Sequence, residues 1–282
     1  MKKDIYANPW NEIAATWKNM KSPNIPNEAE KKIYEKYIKL AKRKNPKTKA
    51  LIFGATVEIR DLLYKNKVDA VVCDLSMNMI IALTQLCKHK NITDSEVWLK
   101  ADWINAPLPE NYFDIILADG AINQLPTGLY DKFLESARKF LKPSGIFIQR
   151  TGIVRKEYFK KDEEIMEHFL QQKNPQPDMV FETLTLYSSA MNKKNMETSV
   201  RRIYQIMDKY FEKIKGDKKV KLGKVIKAME ASYPRNNKTW TMPSMEDMTK
   251  AYKKHFSKIK IESAKDYDSF IPAYPFYIVS KL

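Results

Sequence analysis

The chain has 282 residues, 44% of them hydrophobic, with a formal net charge of +16. That is enough length and apolar content for one doubly wound domain plus an addition. No apolar run approaches the eighteen or so residues of a membrane span, and the opening Met1-Lys2-Lys3-Asp4-Ile5-Tyr6 lacks the apolar segment of a secretory leader, so a cytoplasmic protein without a membrane partner is expected. The two cysteines, Cys73 and Cys87, suit a reduced compartment and show no metal-like spacing. No metal site is expected.

The charge is unevenly placed. Residues 1–50 carry 13 Lys+Arg against 5 Asp+Glu, residues 51–150 carry 11 against 12, and residues 151–282 carry 26 against 17. A neutral middle with basic flanks points to an anionic partner, nucleic acid included. Against this, 42 of the basic residues are Lys and only 8 are Arg, whereas phosphate and base readout lean on the Arg fork. Nucleic acid is therefore the lesser alternative.

Residues 1–45 read as a helical arm. Trp10, Ile13, Ala14 and Trp17 recur at helical spacing, which puts both indoles on one face. Pro23 and Pro26 end that helix, and Glu28 to Lys42 resume with Ile33, Tyr34, Tyr37, Ile38 and Ala41 on the apolar side. The next stretch, Ala50 to Glu58, organises the following hundred residues. Leu51, Ile52 and Phe53 form a buried strand that stops at Gly54, and Ala55 and Thr56 lead into a helix. Gly54 lets the backbone approach a ligand, and Thr56 is of the type that caps a helix. The unit then repeats. Ala70 to Cys73 is a second strand ending on Asp74, placed where an acid suits ribose hydroxyls. Val97 to Lys100 is a third, followed by Asp102 and Trp103. Phe113 to Ala118 is a fourth, ending in Asp119-Gly120, and Gly145 to Gln149 is a fifth after a helix over Leu129 to Leu141.

Taken together, Leu-Ile-Phe-Gly-Ala-Thr-Val-Glu, Val-Cys-Asp-Leu-Ser-Met-Asn-Met, Ala-Asp-Trp, Phe-Asp-Ile-Ile-Leu-Ala-Asp-Gly and Leu-Lys-Pro-Ser-Gly resemble the class I S-adenosylmethionine-dependent methyltransferases over residues 46–152. The resemblance implies an α/β fold: a doubly wound, Rossmann-like seven-stranded sheet, with residues 256–282 completing it. It also implies S-adenosyl-L-methionine as cofactor. Carried onto this chain, Gly54, Ala55 and Thr56 would hold the methionine part, Asp74 the ribose, and Leu75, Met79, Asp102 and Trp103 the adenine. Asp119 and Gly120 would line the site of methyl transfer, and Trp17 on the arm would close over the donor. The glycine turn departs from the family, with Ala55 and Val57 where further glycines are usual. It is similar to a Thr-Pro-Glu variant in which Val57 replaces the proline.

Residues 153–255 then interrupt the sheet. Amphipathic patterns over Lys156 to Lys173, Glu197 to Lys215, Val220 to Ala231 and Met245 to Phe256 predict a helical insertion that covers a substrate. Phe181 to Ala190 fits neither period. Lys258 to Glu262 and Phe276 to Ser280 predict the final strand pair.

The chemistry implied is direct methyl displacement, in which the protein aligns the acceptor and excludes water. An oxygen acceptor wants a general base, for which His168 and His255 are candidates, and Arg150 just past the fifth strand could grip an anionic substrate. His89 reads as a surface residue. Ala118-Asp119-Gly120-Ala121 lacks the Pro-Pro-Tyr turn of DNA amino methylation, and neither cysteine has the Pro-Cys setting of C5 methylation. The expected substrate is a small-molecule hydroxyl or amine, ring-containing or apolar. The alternatives are RNA methylation using the basic flanks and a non-catalytic cofactor-binding module. A nicotinamide-dependent oxidoreductase would need another glycine where Val57 and Glu58 stand.

Overall fold

The computed structural model describes residues 8–89, 91–155, 159–171, 186–264 and 274–281. At its centre lies a seven-stranded sheet of order β3-β2-β1-β4-β5-β9-β8. The strands are β1 (Lys49–Phe53), β2 (Asp69–Asp74), β3 (Glu96–Lys100), β4 (Phe113–Asp119), β5 (Leu141–Arg150), β8 (Lys258–Glu262) and β9 (Phe276–Ser280). The first five run parallel, and β9 lies antiparallel between β5 and β8. The order reverses between β1 and β4, which opens a crevice beyond their carboxyl ends.

A parallel sheet is covered on both faces, so its strands read as unbroken apolar runs. Ala50 and Ile52 join the buried cluster formed with α2 (Glu28–Lys44), α3 (Val57–Lys65) and α4 (Met77–Thr84). Leu51 and Phe53 point the other way, into the cluster formed with α5 (Tyr130–Phe140) and α9 (Met245–His255). Arg60 of α3 forks onto Glu96 at the start of β3, Nε to Oε1 at 2.9 Å and Nη2 to Oε2 at 2.6 Å, with both side chains buried. The same Nη2 donates to Thr84 of α4 at 2.7 Å. This fork locks two helices and an edge strand. Thr56 occupies the position before α3, yet its side chain makes no cap bond there. Its backbone (φ −53°, ψ 116°) lies outside the extended region from which a capping hydroxyl reaches back.

The arm consists of α1 (Asn8–Thr16), a 3-10 turn over Trp17–Asn19, and α2. Asn27 and Glu30 form a reciprocal capping box at the start of α2, each bond 2.9 Å. Buried Tyr34 donates to the carbonyl of Ala118 at 2.7 Å, which fixes α2 against the end of β4.

The insertion has its own apolar core. Ile165, Met166 and Phe169 of α6 (Asp162–Gln171) pack with Met207 of α7 (Val200–Lys213), Leu222 of α8 (Gly216–Ser232) and Met242. The helix expected from Glu197 starts three residues later. Residues Glu197–Ser199 form β6, pairing antiparallel with β7 (Thr239–Thr241), and Ser199 caps α7. The insertion is thus helical with one small β ladder. Of the helix expected over Lys156 to Lys173, residues 156–158 and 172–173 lie outside the described residues, as do residues 181–185 of the unassigned stretch. No helix among the described residues is long and apolar enough to cross a membrane.

Asn123 joins this ladder to the sheet. Its Nδ2 donates to the carbonyls of Gly152 (2.8 Å) and Thr241 (2.7 Å), while its Oδ1 accepts from the Gly152 N–H (2.9 Å). Asn123→Ala orphans these buried backbone groups and should lower unfolding free energy by about 1–3 kcal/mol. Urea denaturation followed by circular dichroism is the check, and an unchanged midpoint would show that the clip is dispensable.

Candidate functional site

A cavity of about 1550 Å³ opens at the carboxyl ends of β1, β2, β4 and β5. Gly54, Ala55 and Thr56 line it from the β1 turn, and Asp74, Leu75 and Met79 from the β2 turn. Asp102 and Trp103 follow from the β3 loop, and Asp119, Gly120 and Arg150 from β4 and β5. Trp17 and Trp10 line it from the arm. Every residue carried over by resemblance as cofactor-binding therefore meets in one space.

Local geometry explains several of these positions. Gly54 adopts φ +102°, and a Cβ built there would have nothing within 4 Å. The turn therefore leaves the backbone bare toward the cavity. Trp103 donates its indole N–H to the carbonyl of Cys73 at 2.7 Å, pinning the β3 loop beside β2. Asp102 is exposed and bonds its own turn, through the Ile104 N–H (3.0 Å) and Asn105 Nδ2 (3.1 Å). Asp74 accepts the Ser76 N–H on Oδ1 at 2.8 Å. Burial pushes its carboxyl up to about 6, against the opposing pull of that N–H and of Lys238.

Arg150 does something other than grip a substrate. Its Nε and Nη2 donate to the carboxylate of Asp119 at 2.5 and 3.2 Å, its Nη1 to Glu30 Oε2 at 2.7 Å, and its Nη2 to the Pro23 carbonyl at 2.9 Å. All three side chains are at most 6% exposed. With its donors engaged, the guanidinium is a tie between the arm and the strand ends, and the expectation that it grips an anion is corrected.

The roof comes from both additions at once. Thr16 donates to the carbonyl of Ser232 at 2.8 Å, Asn19 to that of Ala231 at 2.7 Å, and Asn236 to Glu12 at 3.0 Å. The arm and the end of α8 thus form one cover. Aromatic side chains from the insertion line its underside: Tyr187 and Trp240 meet edge to face at 4.8 Å, and Tyr233 lies 6.0 Å from Trp240. Lys238, 8% exposed, lines the cavity with its Nζ 4.5 Å from the centre of the Trp10 ring. Burial lowers its ammonium to about 7, against the pull of Glu197 and Asp74.

Neither candidate histidine reaches this space. His255 at the end of α9 pairs with Asp131 at 3.1 Å, and His168 belongs to α6 within the insertion. His89 stacks on Tyr64 with centroids 4.7 Å apart. The general-base expectation for His168 and His255 is corrected, because neither side chain lines the cavity. What the sequence reading missed is Asn123, Tyr187, Tyr233, Lys238 and Trp240. Only the Thr-Trp-Thr alternation at 239–241 hinted at a strand there, and a single lysine among 42 carries no signal of its own. Among the described residues no three His, Cys, Asp or Glu stand together as a metal site.

Residues 53–149 match the family described as a methyltransferase domain. That stretch runs from the end of β1 to the end of β5 and includes the turns that line the cavity floor. In structure the chain is similar to an S-adenosylmethionine-dependent methyltransferase from Clostridium acetobutylicum, at 13% identity over 96% of this chain and 98% of that one, TM-score 0.56. It is also similar to a Rhodobacter sphaeroides protein provisionally named among Zn-dependent alcohol dehydrogenases (16%, 96% and 98%, 0.57) and to a Pyrococcus horikoshii protein (13%, 91% and 93%, 0.52). At such identities each likeness shows the fold alone. No curated protein matches in sequence. The match over residues 53–149 and the shared fold support an S-adenosylmethionine-dependent methyltransferase of class I. S-Adenosylmethionine is its cofactor and methyl transfer its reaction.

Arg150→Met should cost about 3–5 kcal/mol, because it strands the buried carboxylates of Glu30 and Asp119. Equilibrium denaturation at neutral pH tests this. A loss under 1 kcal/mol would mean that the two carboxylates find water or other donors.

Proposed function

We propose that the protein methylates a small, ring-containing amine or hydroxyl compound held under the composite roof. The observation that carries this reading is the roof itself: Trp10 and Trp17 from the arm and Tyr187, Tyr233 and Trp240 from the insertion stand over the strand ends. A polynucleotide needs an open approach, whereas a roofed aromatic cavity suits a flat or apolar metabolite. Small-molecule pockets run to roughly 300–1,000 Å³, so the cavity of about 1550 Å³ has room for a donor and an acceptor together.

The lining fits the cofactor. Asp74 sets a half-buried carboxylate in the cavity and, among the described residues, accepts on Oδ1 alone, from the Ser76 N–H, which leaves acceptor capacity for ribose hydroxyls. The open space beside Gly54 suits the methionine part, and Leu75, Met79 and Trp103 supply apolar surface for the adenine, with Asp102 at the rim. Trp17 covers the donor, and Asp119 and Gly120 border the transfer site. When bound, the cofactor supplies an electrophilic methyl on a sulfonium. The chain's task is to orient the acceptor and keep water out. Since no histidine reaches the cavity, a neutral amine, which needs no base to attack, suits this lining better than an unactivated hydroxyl.

Incubating the protein with labelled donor and panels of aromatic amines, phenols and mixed RNA tests the reading. Label on a small amine or phenol is expected. Label on RNA with none on small molecules would overturn it in favour of the basic flanks as a nucleic-acid track.

The ribose assignment gives two further outcomes. Asp74→Ala should weaken S-adenosylhomocysteine binding by about 1–3 kcal/mol. Because the carboxylate is the accepting form and titrates at about 6, affinity should fall as pH drops from 6 to 5, and Asp74→Asn should flatten that limb. Calorimetry across pH 5–8 reads both. An unchanged affinity in Asp74→Ala would place the ribose elsewhere.

A further inference from the structure

Lys238 is the unusual group of this cavity. It is a lysine more than nine-tenths buried, at the turn that leads from α8 into β7. Buried ammonium groups are costly unless paired, yet no carboxylate among the described residues lies within ion-pair distance of its Nζ. Its neighbour is the face of Trp10, at 4.5 Å. The other cations of the lining are committed or peripheral. Arg150 is held by Glu30 and Asp119, and Arg235 forks onto Asp208 at 2.6 and 2.9 Å. Lys100 is exposed at the end of β3.

Position identifies what Lys238 faces. Trp10 belongs to α1, and α1 packs on α4. That helix begins at the Asp74-Leu75-Ser76 turn, whose Ser76 caps it through the Met79 N–H at 3.2 Å. Trp10, Lys238 and the residues of that turn all line the one cavity. Across it Glu197 and, less strongly, Asp74 pull on the Lys238 ammonium.

We propose that Lys238 is a cofactor-binding residue supplied by the insertion, donating from above to the ribose hydroxyls that Asp74 accepts from below. The polar rim of the nucleoside then lies between a carboxylate on the sheet and an amine on the roof. In the complex Asp74 gains the ribose hydroxyls beside the Ser76 N–H, and Lys238 gains an oxygen acceptor beside the face of Trp10. Lys238 sits on the same turn that bonds the arm through Asn236 and Glu12. The inference rests on Asp74 holding the ribose.

The test compares S-adenosylhomocysteine with its 2′-deoxy and 3′-deoxy analogues by calorimetry on the full chain. Lys238→Met keeps the stem and removes the donor. It should bind S-adenosylhomocysteine about tenfold more weakly, as for a lost hydrogen bond from a charged donor. It should also discriminate less than the native protein against at least one deoxy analogue. Lys238→Arg should keep most of the affinity. The discrimination ratio is independent of how much of a variant is folded, so a destabilised Lys238→Met still answers. Identical ratios in the native protein and Lys238→Met would overturn the proposal and return Lys238 to packing on Trp10. Asp74→Asn separates the two readings. If it binds as the native protein does, the ribose assignment falls and Lys238 falls with it. If it binds weakly while the Lys238→Met ratios stay native, only the role of Lys238 falls.

Discussion

The guanidinium of Arg150 is shared by Asp119 at the end of β4, Glu30 at the start of α2 and the carbonyl of Pro23 before it. A buried cation of this kind is tolerable only while all of its partners are present. The constraint therefore runs in both directions: the strand ends cannot adopt their positions without the arm, nor the arm without the strand ends. Glu30 is doubly used, since its Oε2 also accepts the Asn27 N–H that starts α2. Helix initiation, arm docking and the placement of Asp119 beside the cavity are thus one event. Tyr34, bonded to the Ala118 carbonyl, repeats the connection one turn along α2.

The sheet was legible because a parallel strand buried on both faces leaves a plain mark. Leu51-Ile52-Phe53, Val71-Val72-Cys73 and Ile115-Ile116-Leu117 are apolar on consecutive residues, and no amphipathic element looks like that. The turns were legible as well, since Gly54, Asp74 and Asp119 each stand at a strand end, where chain reversal and ligand approach meet. The roles of polar residues with distant partners were not. Arg150 reads the same whether it faces a substrate or Glu30, and only the return of α2 across the sheet decides between them. The histidines failed for a related reason, because helical periodicity says that a residue lies beside an apolar stripe without saying which core the stripe joins. The β6–β7 ladder was hidden because three-residue strands carry too few alternations to register against the strong helical pattern of α7.

The cover over the cavity is not a separate lid hinged on the domain. Its two halves come from the arm and the insertion, and polar bonds between Thr16 and Ser232, Asn19 and Ala231, and Glu12 and Asn236 join them. Bonds of this sort, part exposed and few, open at lower cost than the apolar core. A seam of them suits a cover that admits an acceptor and then re-forms. The aromatic surface beneath belongs to the insertion, and so acceptor preference can change there without disturbing the strand ends.

Thr16 and Ser232 are 216 residues apart in sequence. On the ribosome, which adds roughly 5–20 residues per second, the arm emerges on the order of ten to forty seconds before the segment it bonds. Throughout that interval Trp10 and Trp17 lack half of their eventual surroundings, and the nascent chain presents two indoles to whatever is nearby. The seam that shelters the chemistry in the finished enzyme therefore stays unpaired for that whole interval of synthesis.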